Sequence, residues 1–157
     1  MLNLFASARS INTKLAEMVL FCSMLKVEHI GIAVRHLKES VPLFEKLLNT
    51  NCYKTETVES EQVATAFFKT GDTKIELLES SSAEGVIARF IEKKGEGLHH
   101  IAFEVADIEA EMKRLKEEGF VLLNEKPKRG ADNKLVCFLH PKNTNGVLIE
   151  LCMEVKG

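Results

Sequence analysis

Apolar and polar residues alternate along residues 26–35, KVEHIGIAVR, and the period then changes. From Leu37 the apolar positions Leu37, Val41, Phe44, Leu47 and Leu48 recur at helical spacing. Sustained alternation marks a half-buried strand, and a spacing of three and four marks an amphipathic helix. The pattern therefore predicts a strand over 26–35 and a helix over 37–48. Strand patterns follow at 51–58, 63–70 and 73–79, the last two joined by the turn signal TGDT. The same change of period returns in a strand over 98–105 and a helix from Asp107, an N-cap residue, to Gly119, a C-terminal stop. Strands are then expected at 120–123, 134–139 and 146–153, separated by the loop KPKRGADN and the turn HPKNTNG.

The second set of elements repeats the first. HIGIAVRHLKESVPLFEKLL, from His29, lies over HIAFEVADIEAEMKRLKEEG, from His100, without a gap at an offset of 71 residues (100 − 29). Further on, TKIELLE around Glu76 matches GVLIELC around Glu150 at an offset of 74 (150 − 76), because the second copy has a longer turn. The fold expected is α+β. Two tandem βαβββ modules, 24–80 and 97–154, form one curved mixed sheet with the helices outside, in a single domain over 24–154 with a linker helix over 83–94.

Residues two apart on a strand share a face. Ile30, Ile32 and Val34 then face the helices, and His29, Gly31 and Ala33 face the concave side. In the matching strand Ile101, Phe103 and Val105 lie opposite His100, Ala102 and Glu104. By the same parity Glu76 and Glu150 join both histidines on the concave face, while His99 points away and serves packing or hydrogen bonding. A glutamate inside KIELL or VLIEL is costly to bury ionised, and a divalent cation compensates for that cost. Two imidazoles and two carboxylates suit Co, Ni, Mn, Fe or Zn with coordination positions left open. For any one of these residues an ordinary hydrogen-bonded role is the commoner explanation. Recurrence of the same two residue types at matching places in both modules reverses that preference.

Composition narrows the partners. At 157 residues, 45% hydrophobic and 28% charged with a net charge of −2, the chain is an ordinary globular protein. No basic patch or nucleic-acid-binding signature is present, so nucleic acid is not expected as a partner. The run MVLF is too short to span a membrane, and none is expected as a partner. Cys22, Cys52, Cys137 and Cys152 are widely spaced and show no C-x-x-C pair, so reduced thiols in a cytoplasmic setting are the default. Residues 1–23, MLNLFASARSINTKLAEMVLFCS, read as an N-terminal extension outside the domain. They are poor in acids but also short of basic residues, and a mitochondrial matrix location follows only if they are a transit peptide.

The motifs HIGIAV, GDTKIELLE, GEGLHHIAFEV and FLHPKNTNGVLIEL, in this order and spacing, resemble the methylmalonyl-CoA epimerase family of the vicinal-oxygen-chelate superfamily, which also holds glyoxalase I. The resemblance runs from Met24 to Glu154. It implies a metal-dependent epimerase, often a homodimer, that interconverts (R)- and (S)-methylmalonyl-CoA by removing the proton alpha to the thioester through a metal-stabilised enolate. It implies one divalent ion, Co2+ foremost and otherwise Ni2+, Mn2+ or Zn2+. The family's ligands match His29, His100 and Glu150, and the fourth position, often glutamine in the family, is Glu76. That set is the one glyoxalase I uses. An acid/base glutamate that follows an EQGV motif in some members falls at Thr65 here and does not transfer. The catalytic candidates are Glu150 on one face of the enolate and Glu76 on the other, with Glu61 a weaker third. Lys126, Lys128, Arg129 and Lys142 are candidates for the CoA phosphates, although solvated loop charge is the commoner role of such residues. Two other readings are a glyoxalase I and a metal-free binding protein on the same scaffold.

Overall fold

The structure, a computed structural model, describes residues 24–155; the expected N-terminal extension, 1–23, lies outside the described residues. The first module comprises β1 (Met24–Ala33), α1 (Leu37–Leu48), β2 (Lys54–Val58), β3 (Val63–Thr70) and β4 (Thr73–Ser80). A linker helix, α2 (Val86–Lys94), leads to β5 (Gly97–Val105), α3 (Ile108–Glu117), β6 (Lys128–Arg129), β7 (Lys134–Leu139) and β8 (Leu148–Glu154). The eight strands make one mixed sheet in the order β2-β3-β4-β1-β5-β8-β7-β6. Within each module the first strand pairs in parallel with the last, β1 with β4 and β5 with β8, and the modules join through antiparallel β1 and β5. The βαβββ duplication is thus the plan of the sheet.

Strand parity sorts the core as alternation requires. Leu37, Val41, Phe44 and Leu48 of α1 pack on Val34, Ala66, Phe68 and Leu77, and Leu47 is exposed rather than part of that stripe. Ile108, Met112 and Leu115 of α3 pack on Val105, Cys137, Leu139 and Leu151. Ile108, Met112 and Leu115, which are fully buried, contribute about 1.5–3 kcal/mol each, and the partly buried α1 side chains less. Asp107 caps α3 as expected, its carboxylate accepting from Ala110 N at 3.0 Å.

Two elements depart from the expected plan. Residues 120–123 form no strand; Leu122 makes an isolated bridge to Leu139, and Phe120 and Leu122 lie against the α3 core, so their apolar surface is satisfied by packing. The edge strand is instead the short β6 inside the KPKRGADN loop, paired with β7. The linker helix starts later than expected and packs Ile87 and Ile91 on Ala33, Val63 and Leu78. Ala33 and Leu78 share the concave parity of His29 and Glu76, so α2 covers one end of the cup while α1 and α3 sit outside it.

The curl brings the two sheet edges together. From β2, Lys54 Nζ donates to Asp132 Oδ1 at 3.0 Å, and Glu56 Oε2 accepts from Asp132 N at 3.0 Å. Beyond β2, Glu61 pairs with Lys128 of β6 at 2.6 Å. These charges join opposite edges of a twisted sheet and take the place of a ladder. Among the described residues no helix is long and apolar enough to cross a membrane, and Cys52, Cys137 and Cys152 are free thiols.

Candidate metal centre

His29 and His100 sit on the paired central strands, with Glu76 and Glu150 on the parallel strands that flank them. The register places His29 beside Ala102 and His100 beside Gly31, while Gly31 also pairs with Glu76 and Ala102 with Glu150. The four candidate ligands therefore surround two of the smallest residues of the sheet. Gly31 is required there: a Cβ on it would lie 2.2 Å from His100 Cε1, inside the imidazole.

All four side chains are buried; donor atoms of His29, His100 and Glu150 lie within 4.8 Å of one another, and the Glu76 carboxylate approaches both imidazoles. His29 Nε2 lies 2.9 Å from His100 Nε2, 3.2 Å from Glu76 Oε2 and 3.8 Å from Glu150 Oε2. His100 Nε2 lies 3.3 Å from Glu150 Oε2 and 3.6 Å from Glu76 Oε2. Sequence parity thus names a set of residues that the fold brings together.

The protonation of this cluster is far from ordinary. Burial pushes the His29 imidazole down, but hydrogen bonds to Glu28 and Glu76 and the charge of Glu150 outweigh it and raise it to about 10. Burial pushes Glu76 up, yet its hydrogen bonds to His100 and His29 hold it at about 2. Glu150 is raised by burial, with the charges of His100 and His29 opposing. The cluster needs positive charge at its centre, and a proton on His29 meets part of that need.

Each histidine is also held from behind. His29 Nδ1 lies 2.6 Å from Glu28 Oε2, and Glu28 in turn pairs with Lys74 and, at 3.5 Å, with Lys134. Lys74 also donates to Asp132 Oδ2 at 2.7 Å. His100 Nδ1 lies 2.9 Å from His99 Nδ1, and the His99 ring meets Phe90 of α2 edge to face. His99 is thus in the centre's surroundings, not on the far face that strict alternation predicts. The reason is a register shift that leaves His99 unpaired between the pairs Gly31–His100 and Ile32–Leu98. Sequence reasoning passed over Glu28 altogether. The signal available was a polar residue directly before each histidine, in VEH and in LHH, at matching positions of the two modules.

Above the cluster is a cavity of about 230 Å³, walled by apolar groups that include Phe67, Leu78, Ile87 and Phe138. Glu61 and Lys128, joined across the sheet edges, stand on its rim, and Thr65 lies on its wall. The other expected phosphate contacts are spread over the surface: Lys126 and Lys142 are exposed, and Arg129 Nη1 donates to Asn133 Oδ1 at 3.1 Å.

A family model described as Glyoxalase/Bleomycin resistance protein/Dioxygenase superfamily matches residues 28–138. The chain is 41% identical over 134 residues to the YqjC protein of Bacillus subtilis, covering 85% of this chain and 95% of that one. It is 40% identical over 128 residues to the ethylmalonyl-CoA/methylmalonyl-CoA epimerase of Cereibacter sphaeroides, covering 80% and 96%. Among solved structures, a Streptomyces coelicolor methylmalonyl-CoA epimerase variant in complex with 2-nitronate-propionyl-CoA superposes with a TM-score of 0.82 at 32% identity, covering 85% of this chain and 96% of that one.

Proposed function

The chain belongs to the glyoxalase/bleomycin resistance protein/dioxygenase superfamily, and from that membership we propose that it is a metal-dependent epimerase of methylmalonyl-CoA. The observation that carries this reading is the convergence of His29, His100, Glu76 and Glu150 below an apolar cavity, in a chain whose relatives include named methylmalonyl-CoA epimerases.

The donor set fits a divalent cation. If His29 Nδ1 donates to Glu28 and His100 Nδ1 donates to His99, the two Nε2 lone pairs face each other at 2.9 Å. That arrangement requires a positive charge between them and the two carboxylates. The mixed nitrogen and oxygen set suits Co2+, with Ni2+, Mn2+ and Zn2+ as alternatives. Such an ion is a Lewis acid that lowers the cost of negative charge on substrate oxygens.

Epimerisation needs a proton taken from one face of the substrate's C2 and one returned to the other. Glu150, buried at the floor of the cavity, is the base from below. Glu76 approaches the same histidine nitrogens and so addresses the same side. The opposite face is left to the cavity rim, where Glu61 is held by Lys128; this favours Glu61 over Glu76 as the second acid. The apolar wall excludes water that would otherwise compete for the proton. Of the four basic residues expected at the CoA phosphates, Lys128 alone lines the cavity, and the CoA portion is assigned to leave past it.

Deuterium uptake at C2 of methylmalonyl-CoA, followed on Co2+-loaded protein, tests the reading. Loaded parent protein should exchange, and Glu150→Gln should lose about 100-fold or more. Unchanged exchange in a metal-loaded Glu150→Gln variant removes Glu150 as the base. The ligand Glu76 also suits a glyoxalase I, so lactoylglutathione formation without exchange would replace the epimerase reading.

A further inference from the structure

The two histidines are preceded by bulges that correspond under the internal repeat. In β1 the register passes from Val27–Phe103 to His29–Ala102 and leaves Glu28 without a partner. In β5 it passes from Gly31–His100 to Ile32–Leu98 and leaves His99 without one. A regular strand sends neighbouring side chains to opposite faces, so a residue at this position has no path to the ring of the next. A bulge re-aims the extra side chain. Here both bulges aim it at the same atom, the Nδ1 of the following histidine, at 2.6 Å from Glu28 and 2.9 Å from His99.

We propose that Glu28 and His99 are matched positioning residues that fix the tautomer and direction of His29 and His100, with Glu28 the stronger of the pair. A histidine that offers Nε2 as a ligand must carry its proton on Nδ1, and the group receiving that proton decides which nitrogen is free and where the ring points. Glu28 receives it with a carboxylate, and a charge-assisted hydrogen bond is roughly twice as strong as a neutral one. Its other oxygen is held by Lys74 of the first module and Lys134 of the second, so the carboxylate is not free to rotate away. His99 receives the His100 proton with a neutral ring nitrogen and is held by Phe90. One strand thus carries an anionic partner and its repeat a neutral one. His29 is the more firmly oriented ligand for that reason.

This rests on the reading of His29, His100, Glu76 and Glu150 as metal ligands. The test is titration of the apoprotein with Co2+, read by the visible absorption of the bound ion and by competition with a chelator, with thermal unfolding of each apoprotein measured alongside. Glu28→Ala should bind Co2+ about 10–100-fold more weakly than the parent chain. Glu28→Gln keeps the shape and an acceptor for Nδ1 and should recover part of the loss. His99→Phe should lose less than Glu28→Ala. A merely structural Glu28 would lower the unfolding temperature and leave the affinity and spectrum of the folded protein unchanged. Parent-like affinity in folded Glu28→Gln and Glu28→Ala together overturns the proposal. A parent chain that takes up no Co2+ overturns the ligand reading beneath it.

Discussion

Gly31 has a role that its conformation does not require. Its place is set by what stands opposite: the His100 ring occupies the space a Cβ would take, at 2.2 Å. Gly31→Ala is expected to displace that ring, to cost about 1–3 kcal/mol of stability through overpacking and to weaken Co2+ binding, read by thermal unfolding and metal titration. Retained affinity would mean that His100 yields without losing its aim. The sequence marked Gly31 only as a small neighbour on the concave face. The four candidate ligands were legible because His and Glu recur at matching positions and parity holds through most of each strand. Glu28 and His99 were not, because each sits where parity lapses. A bulge is set by the register between β1 and β5, and no single strand reveals it.

At the scale of elements, the loop between β6 and β7 binds the far edge of the sheet. Asp132 adopts a positive φ of 53° and reaches Lys54 of β2 and Lys74 of β4. Burial raises its carboxyl, but the two lysines outweigh that and hold it below the usual carboxylate range. A carboxyl depressed in the folded state stabilises above its unfolded pKa, and the gain is lost as pH falls through the lower folded value. Asp132→Asn should therefore be less stable than the parent by about 1 kcal/mol at neutral pH. The gap should close as pH drops below about 4, measured by denaturant unfolding at several pH values. A gap independent of pH would assign the effect to the turn and not to the charge. The helical and turn signals were legible here, since helix 37–48, the Asp107 cap and strand 134–139 need only local patterning. The short strand β6 was not, because its pairing answers to β7 and its side chains to the opposite edge.

For the whole molecule, the proposed metal centre joins the modules, with His29 and Glu76 from the first and His100 and Glu150 from the second. A cation bound by both stabilises only the folded arrangement. Co2+ at about 100 times its dissociation constant should add about 2.7 kcal/mol to folding stability, read as a higher unfolding midpoint that a chelator reverses. A midpoint indifferent to Co2+, Ni2+, Mn2+ and Zn2+ alike would count against a shared site. By itself the sequence determined the duplicated βαβββ plan, the concave placement of two histidines and two glutamates, and the chemistry those donors suit. These follow from periodicity and repetition, which are properties of the chain read along its length. The tertiary structure alone decided that Glu28 and His99 bulge toward the histidines, that α2 covers one end of the cup, and that Glu61 meets Lys128 on its rim. Those depend on strand register and on the curl of the sheet, which bring together residues that no local pattern connects.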